Sequence, residues 1–391
     1  MGLSETGLTR MRDNLARLVE AGDVPGLVAL VRSGGRTHAL ALGATQVGGS
    51  VPMRRDTIFR IASLTKGITS AAALILVEEC RLRLDDPVGD LLPELAAPRV
   101  LRSLDAAPDD TVPADGPVTV RHLLTATLGT GAIMAPPGTY PIQQAIDEQS
   151  VGVGPDGPEI TADEWIKRLG ALPLLHQPGT RWLYHTSYDV LGVLVARASG
   201  QPLPEFLRER LFEPLGMHDT GYHLPAEKVG RMAASYRPSA GGLEPRDAPR
   251  EGHWDRAPAF HSGGGGPGLV STVDDYLAFL GMLADRGRGI LSRPSVELMT
   301  SDQLLPAQKE GTEIFLGRGG WGFGFHVESV HDRLDSYPGR FGWTGGLGVS
   351  AAADRGNDLV GMVFTQVAMD SPLPPRAFLD FWTSAYAALE S

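Results

Sequence analysis

The chain has a single cysteine, Cys80, in 391 residues, which excludes an intramolecular disulfide and a cysteine-rich zinc site. Its apolar setting predicts a small core residue on a helix. Lysine is almost as scarce: Lys66, Lys167, Lys228 and Lys309 stand against 31 arginines. That bias reflects genome composition more simply than function, yet it makes each lysine conspicuous. There is no run of Lys and Arg, and the formal net charge is -11, so the chain lacks the electrostatic footprint of a nucleic-acid binder. The longest apolar run, Ala71 to Val77, is far short of the roughly 20 residues that span a bilayer. No membrane partner is expected. The opening stretch MGLSETGLTRMRDNLARLVEAG carries charges through a helical pattern without an apolar core, and it reads as a structural helix rather than a signal peptide. The expected location is the cytoplasm.

What is present points to a globular protein of mixed class. Hydrophobic residues make up 42% and charged residues 21%, enough for a sizeable core, and 49 glycines with 30 prolines imply many turns. GLVALVRSGG and RTHALALGA flank a Gly-Gly turn at Ser33 to Gly35, the pattern of an antiparallel hairpin. GVSAAADRGNDLVGMVFTQVA repeats it around Asp354 to Asp358, and an amphipathic helix follows from about Pro375 to Leu389. Between Asp85 and His261 the strand signal fades and helical segments with Pro/Gly loops take over. The expected fold is therefore α+β: an antiparallel β-sheet flanked by helices, with a mostly helical inserted domain. Residues 1–84 with 262–391 would form the sheet domain and 85–261 the insertion, with a substrate cleft between them. Gly129 to Ile160, rich in Pro and Gly, is long for a loop and is either a cover for that cleft or simply mobile.

Chemistry concentrates in TIFRIASLTKGITSAAALILVEECRL. Ser63 falls close to the first turn of a long apolar helix, and Lys66, three residues on, shares its face. A Ser hydroxyl becomes a nucleophile when a base takes its proton, and a Lys amine becomes that base when burial depresses its pKa. With 22 serines and 4 lysines in the chain, about 0.2 SxxK pairs arise by chance, so the pair alone also fits a capping serine beside a surface lysine. Tyr184, in GTRWLYHTSYDVLG just before a helix, could complete a proton relay. Trp343 to Gly346, in RFGWTGGLGVS, form a small-residue bend leading into a strand, where a backbone N–H could face a substrate oxygen. Taken singly, the tyrosine also fits a core aromatic and the bend an ordinary turn.

In this order the segments resemble the serine β-lactamase and penicillin-binding-protein superfamily, with its SxxK, YxN-like and KTG-like elements. PGLVALV, RHLLT, GGGGPGLVSTVDDYLAFL and GWGFGF extend the resemblance over most of the chain. It is most similar to the class C-like branch that holds family VIII carboxylesterases, related acyltransferases and some D-amino-acid peptidases. The resemblance implies Ser63 as acylated nucleophile, Lys66 as its base and Tyr184 as proton shuttle to the leaving group. It places the backbone N–H groups of Ser63 and Gly346 in an oxyanion hole, with Trp343, Thr344 and Gly345 beside the substrate. Thr186 stands where lactamases carry Asn, and Trp343 where they carry Lys or His. An indole removes a partner for a substrate carboxylate and adds apolar wall, which favours neutral esters over anionic lactams or peptides.

Other signals are weaker. GxGxxG occurs at Gly152 to Gly157, Gly263 to Gly268 and Gly317 to Gly322, but none links a strand to a helix as a dinucleotide site requires, and all read as loops. Ser271 to Asp274 reads as a helix capping box. GxSxG and HExxH are absent, and His218 with His223 has no further partner, so neither an α/β-hydrolase elbow nor a metal site is expected. His185, next to Tyr184, could line the site. The reading is a serine hydrolase of small carboxylic esters that uses an acyl-enzyme and needs no metal or cofactor. Its rivals are an acyltransferase with the same intermediate, a D-amino-acid peptidase or weak β-lactamase, and a non-catalytic ligand-binding module.

Overall fold

The computed structural model describes residues 2–152, 154, 157–247, 254–266 and 268–390. Its centre is a seven-stranded antiparallel sheet. The strands are β1 (Gly26–Ser33), β2 (Arg36–Gly43), β3 (Gly320–Trp321), β4 (His326–Val327), β5 (Phe341–Gly345), β6 (Val349–Asp354) and β7 (Leu359–Thr365). Their order across the sheet is β2-β1-β7-β6-β5-β4-β3, so strands from the two ends of the chain meet where β1 pairs with β7. The predicted hairpins are both present: Ser33 pairs Arg36 across Gly34 and Gly35, and Asp354 pairs Leu359.

Alternation along β1 explains its nearly continuous apolar sequence. Leu27, Ala29 and Val31 face the helices Glu5–Glu20 and Arg376–Ala387, packing near Leu15, Phe378 and Phe381. Val28 and Leu30 face the opposite side and join the larger core with Ile68, Leu76 and Phe279. The strand is therefore buried on both faces. The termini close the first layer, with Ser4 N donating to Ala388 O at 2.9 Å.

The Thr65–Glu78 helix runs through the larger core with every residue from Thr65 to Leu76 buried. A helix buried on every face has no solvent side to present, and its polar Thr69 is satisfied internally by donating to Gly263 O at 3.0 Å. It packs on the Thr186–Ser199 helix, which ends at Gly200 in the left-handed region at φ 71°. That crossing brings the residues before both helices together. At the other side of this junction, β4 pairs with β5 only through His326 with Gly342 and Val327 with Phe341. Trp343 to Gly345 thus run on past the end of β4.

Several expectations need correction. Cys80 is exposed and lies just beyond the helix at φ 58°, because the helix stops at Glu78. The helix at Val273–Ala284 is capped by Thr272, whose hydroxyl accepts from Asp275 N at 3.2 Å, one residue later than expected. Ser271 Oγ instead meets Thr220 Oγ1 at 2.7 Å. Between 85 and 261 there are also two short ribbons, Arg99–Leu101 with Thr111–Pro113 and Ser235–Ser239 with Gly242–Asp247. The first pair has three residues per strand, too few for alternation to register, and SYRPS and GLEPRD carry no alternating apolar pattern. Of Gly152 to Gly157, only Gly152, Gly154 and Gly157 lie among the described residues, and Pro267 in the second glycine motif lies outside them. Among the described residues, no helix is long and apolar enough to cross a membrane.

Candidate active site

Ser63 sits on a single helical turn, Ala62–Leu64, that leads into the Thr65–Glu78 helix. The preceding Ala62 holds a left-handed φ of 43°, a costly conformation for a residue with a Cβ. Glycines on two sides let the turn be packed this closely. A Cβ on Gly345 would press on Ile61 O, and a Cβ on Gly265 would lie 2.7 Å from Ser63 N. Ser63 is consequently only 8% exposed. Among the described residues, neither the Ser63 N–H nor the Gly346 N–H has an acceptor, and the space beside the Gly346 Cα is open.

Tyr184 arrives from the segment before the Thr186–Ser199 helix. Its phenol oxygen accepts 2.8 Å from Trp343 Nε1 of β5 and shares a cleft with Ser63. Burial pushes the phenol up to about 12, against the opposite pull of Ser63 and Trp343. It is a neutral hydroxyl at neutral pH. Lys66, completely buried, holds its amine 4.4 Å from the centre of the Tyr184 ring. Among the described residues, Nζ donates to Gly264 O and lies 3.5 Å from His185 Nδ1. Burial brings this amine down to about 7, with Asp189 pulling the other way.

Behind Lys66 lies a polar cluster that the sequence reading missed. Asp189 Oδ1 accepts from Ser262 Oγ at 2.6 Å and Gly264 N at 2.9 Å, and Oδ2 is 3.8 Å from His185 Nε2. Ser262 Oγ in turn accepts from Gly265 N at 2.8 Å and Gly266 N at 3.0 Å. The carboxylate therefore fixes the loop whose carbonyl receives the Lys66 amine. Burial raises Asp189, while Ser262, Gly264 N–H and Lys66 oppose that rise. Burial and then the nearby Lys66 hold His185 well below its usual value, so the ring is neutral. An acid inside the apolar stretch YDVLGVLV was the available signal, since a buried carboxylate needs partners.

A cleft of about 690 Å³ opens onto Ser63 and Tyr184. Trp343, Thr344 and Gly346 line it, as do His326, Phe315 and Met369, none of the last three having been singled out. The Thr344 side chain shares its sheet face with its partner Ser350, which accepts from Trp382 Nε1 at 2.9 Å, so it points toward the C-terminal helix rather than toward Tyr184. Gly345 serves the packing of the nucleophile turn. Thr186 lines a separate cavity of about 20 Å³ with Thr130, Ile146 and Leu169. Gly129 to Ile160 contributes to that small cavity, and its Tyr140 and Ile142 pack in a satellite core; among the described residues, none of the segment lines the large cleft. Among the described residues, no three His, Cys, Asp or Glu side chains are grouped so as to hold a metal ion.

Residues 11–378 match the beta-lactamase family, and the chain belongs to it. It is 36% identical over 372 residues to Protein Rv1367c of Mycobacterium tuberculosis, covering 91% of this chain and 89% of that one. It is 33% identical over 372 residues to Esterase EstB of Burkholderia gladioli, with 90% and 88% covered. Among solved structures, that of EstCE1, described as a hydrolase with promiscuous acyltransferase activity, gives a TM-score of 0.83 at 26% identity, covering 98% of this chain and 99% of that one.

Proposed function

We propose that this protein is a serine carboxylesterase that works through an acyl-enzyme on Ser63. One observation carries the reading: Ser63 and Tyr184 open onto one cleft, with the Trp343 indole donating to the phenol and the Lys66 amine over its ring. In this reading Lys66, near 7, is the base and Tyr184 the conduit and later the acid. Ser63 Oγ attacks the ester carbonyl, its proton passes toward the Tyr184/Lys66 pair, and the oxyanion takes the Ser63 and Gly346 N–H groups. The leaving alkoxide collects a proton from Tyr184, and water then releases the acid. The segments 85–261 and 1–84 with 262–391 act as the two bodies that present Tyr184 and Ser63 to one another.

Membership in the beta-lactamase family supports an enzyme, and the description of EstB supports ester hydrolysis. Trp343 supports neutral esters, because the site offers an indole where a substrate carboxylate would need a cation. The description of EstCE1 favours a second reading, in which another alcohol replaces water at the acyl-enzyme. Steady-state hydrolysis of p-nitrophenyl esters tests the proposal: Ser63→Ala and Lys66→Ala should each lose nearly all turnover, since such units act together. An S63A protein with parental rates would refute it.

A further inference from the structure

The Tyr184 side of the cleft is an aromatic wall. The Phe315 ring stacks on Tyr184 with centroids 5.0 Å apart and planes at 26°. Trp343 follows at 5.7 Å from Tyr184, and His326 at 6.2 Å from Trp343. Phe315 lies on the helical turn Glu313–Leu316, between Gly311 at φ 77° and Gly317 at φ 53°. Both ends of that segment are tied down. Gln308 Nε2 donates to Gly179 O at 2.7 Å, Trp182 N donates to Gln308 O at 2.9 Å, and His326 Nε2 meets Leu316 O at 3.1 Å. The ring is thus a built wall of the cleft rather than a loose surface side chain. Its neighbour Ile314 also lines the cleft and is 46% exposed, extending the apolar surface outward.

The position of this wall has a chemical consequence. Tyr184 is the group that protonates the departing oxygen, so the leaving group must lie along the rings that surround it. Gly346 also lines the cleft, and its carbonyl accepts from Met369 N at 2.8 Å. We infer that Phe315 is the specificity-determining wall of a leaving-group subsite for aromatic alcohols, and that the same subsite seats an aromatic alcohol as acyl acceptor. The inference rests on the acyl-enzyme reading. In the transfer step the acceptor oxygen bonds the acyl carbon as the bond from that carbon to Ser63 Oγ breaks. The acceptor's proton passes through the Tyr184/Lys66 pair to Ser63 Oγ, so no other reagent is required.

The test supplies the full-length protein with p-nitrophenyl acetate as donor and equimolar benzyl alcohol and n-butanol as acceptors. Products are quantified by gas chromatography. Wild-type protein should form more benzyl than butyl acetate by about fivefold, the scale of one ring-stacking contact. Phe315→Leu should bring the two yields close to parity, and Phe315→Tyr, which keeps the ring, should restore the preference. Equal yields from wild type, an unchanged ratio in F315L, or acetate as the sole product would overturn the inference while p-nitrophenol release continued. Absence of p-nitrophenol release from wild type would instead sink the acyl-enzyme reading, and this inference with it.

Discussion

Trp343 Nε1 donates a 2.8 Å hydrogen bond to the phenol oxygen of Tyr184. An indole nitrogen can only donate, so the phenol must accept from it and keeps its own proton for the relay. The indole therefore orients Tyr184 without competing for its proton. Trp343→Phe keeps most of the packing and removes the donor. The phenol, already pushed up to about 12, should rise further, and kcat for a p-nitrophenyl ester should fall about tenfold, the upper range for one hydrogen bond. A rate within experimental error of wild type would contradict this role.

The pH profile should report the buried amine. Burial brings Lys66 down to about 7. A base acts only when unprotonated, so kcat/KM should climb with one-proton slope as pH rises through about 7 and then level off. Tyr184, at about 12, keeps the plateau intact well into the alkaline range. A profile flat through neutrality would exclude Lys66 as the base.

Asp189 offers a sharper pH test. Its carboxylate pulls the Lys66 amine upward, while the other ring groups near that amine, His185, Tyr184 and Tyr188, are neutral. Asp189→Asn keeps an oxygen for Ser262 and Gly264 N–H but removes the charge. The amine should then drop further and the acid limb of kcat/KM should move to lower pH. A variant that merely loosened the loop would lose rate without moving that limb.

Two adjacent glycines should behave differently. A Cβ on Gly345 would press on Ile61 O and lie 2.6 Å from the Val349 side chain, whereas a Cβ on Gly346 meets nothing within 4 Å. Gly345→Ala should destabilise the fold by about 1–3 kcal/mol through overpacking and displace the Ser63 turn. Gly346→Ala should melt close to wild type. Thermal melts of the two proteins compare these directly, and equal Tm values would refute the packing account.

The sequence made some of this legible for identifiable reasons. The hairpins around Gly34 and Asp354 carry turn residues between apolar runs, and β1 and β7 are long enough for their pattern to register. Strands β3 and β4 have two residues each, so no periodicity could reveal them. Ser63, Lys66, Tyr184 and Trp343 stand out by motif order; the Lys66 amine and the Trp343 indole both reach Tyr184, and Ser63 shares its cleft. Asp189 and Phe315 were missed for different reasons. Asp189 matters through a loop more than seventy residues away, a contact that only tertiary folding creates. Phe315 lies in a short turn with no motif, and its importance comes from stacking on a ring far away in the chain. Thr344, placed by analogy beside the substrate, does line the large cleft, on the sheet face it shares with Ser350.

The most direct test of the central claim is the intact mass of the protein after exposure to a fluorophosphonate, followed by peptide mapping. The account predicts one added group, located on Ser63 and absent from Ser63→Ala. No adduct on the wild-type protein, or the same adduct on S63A, would contradict it.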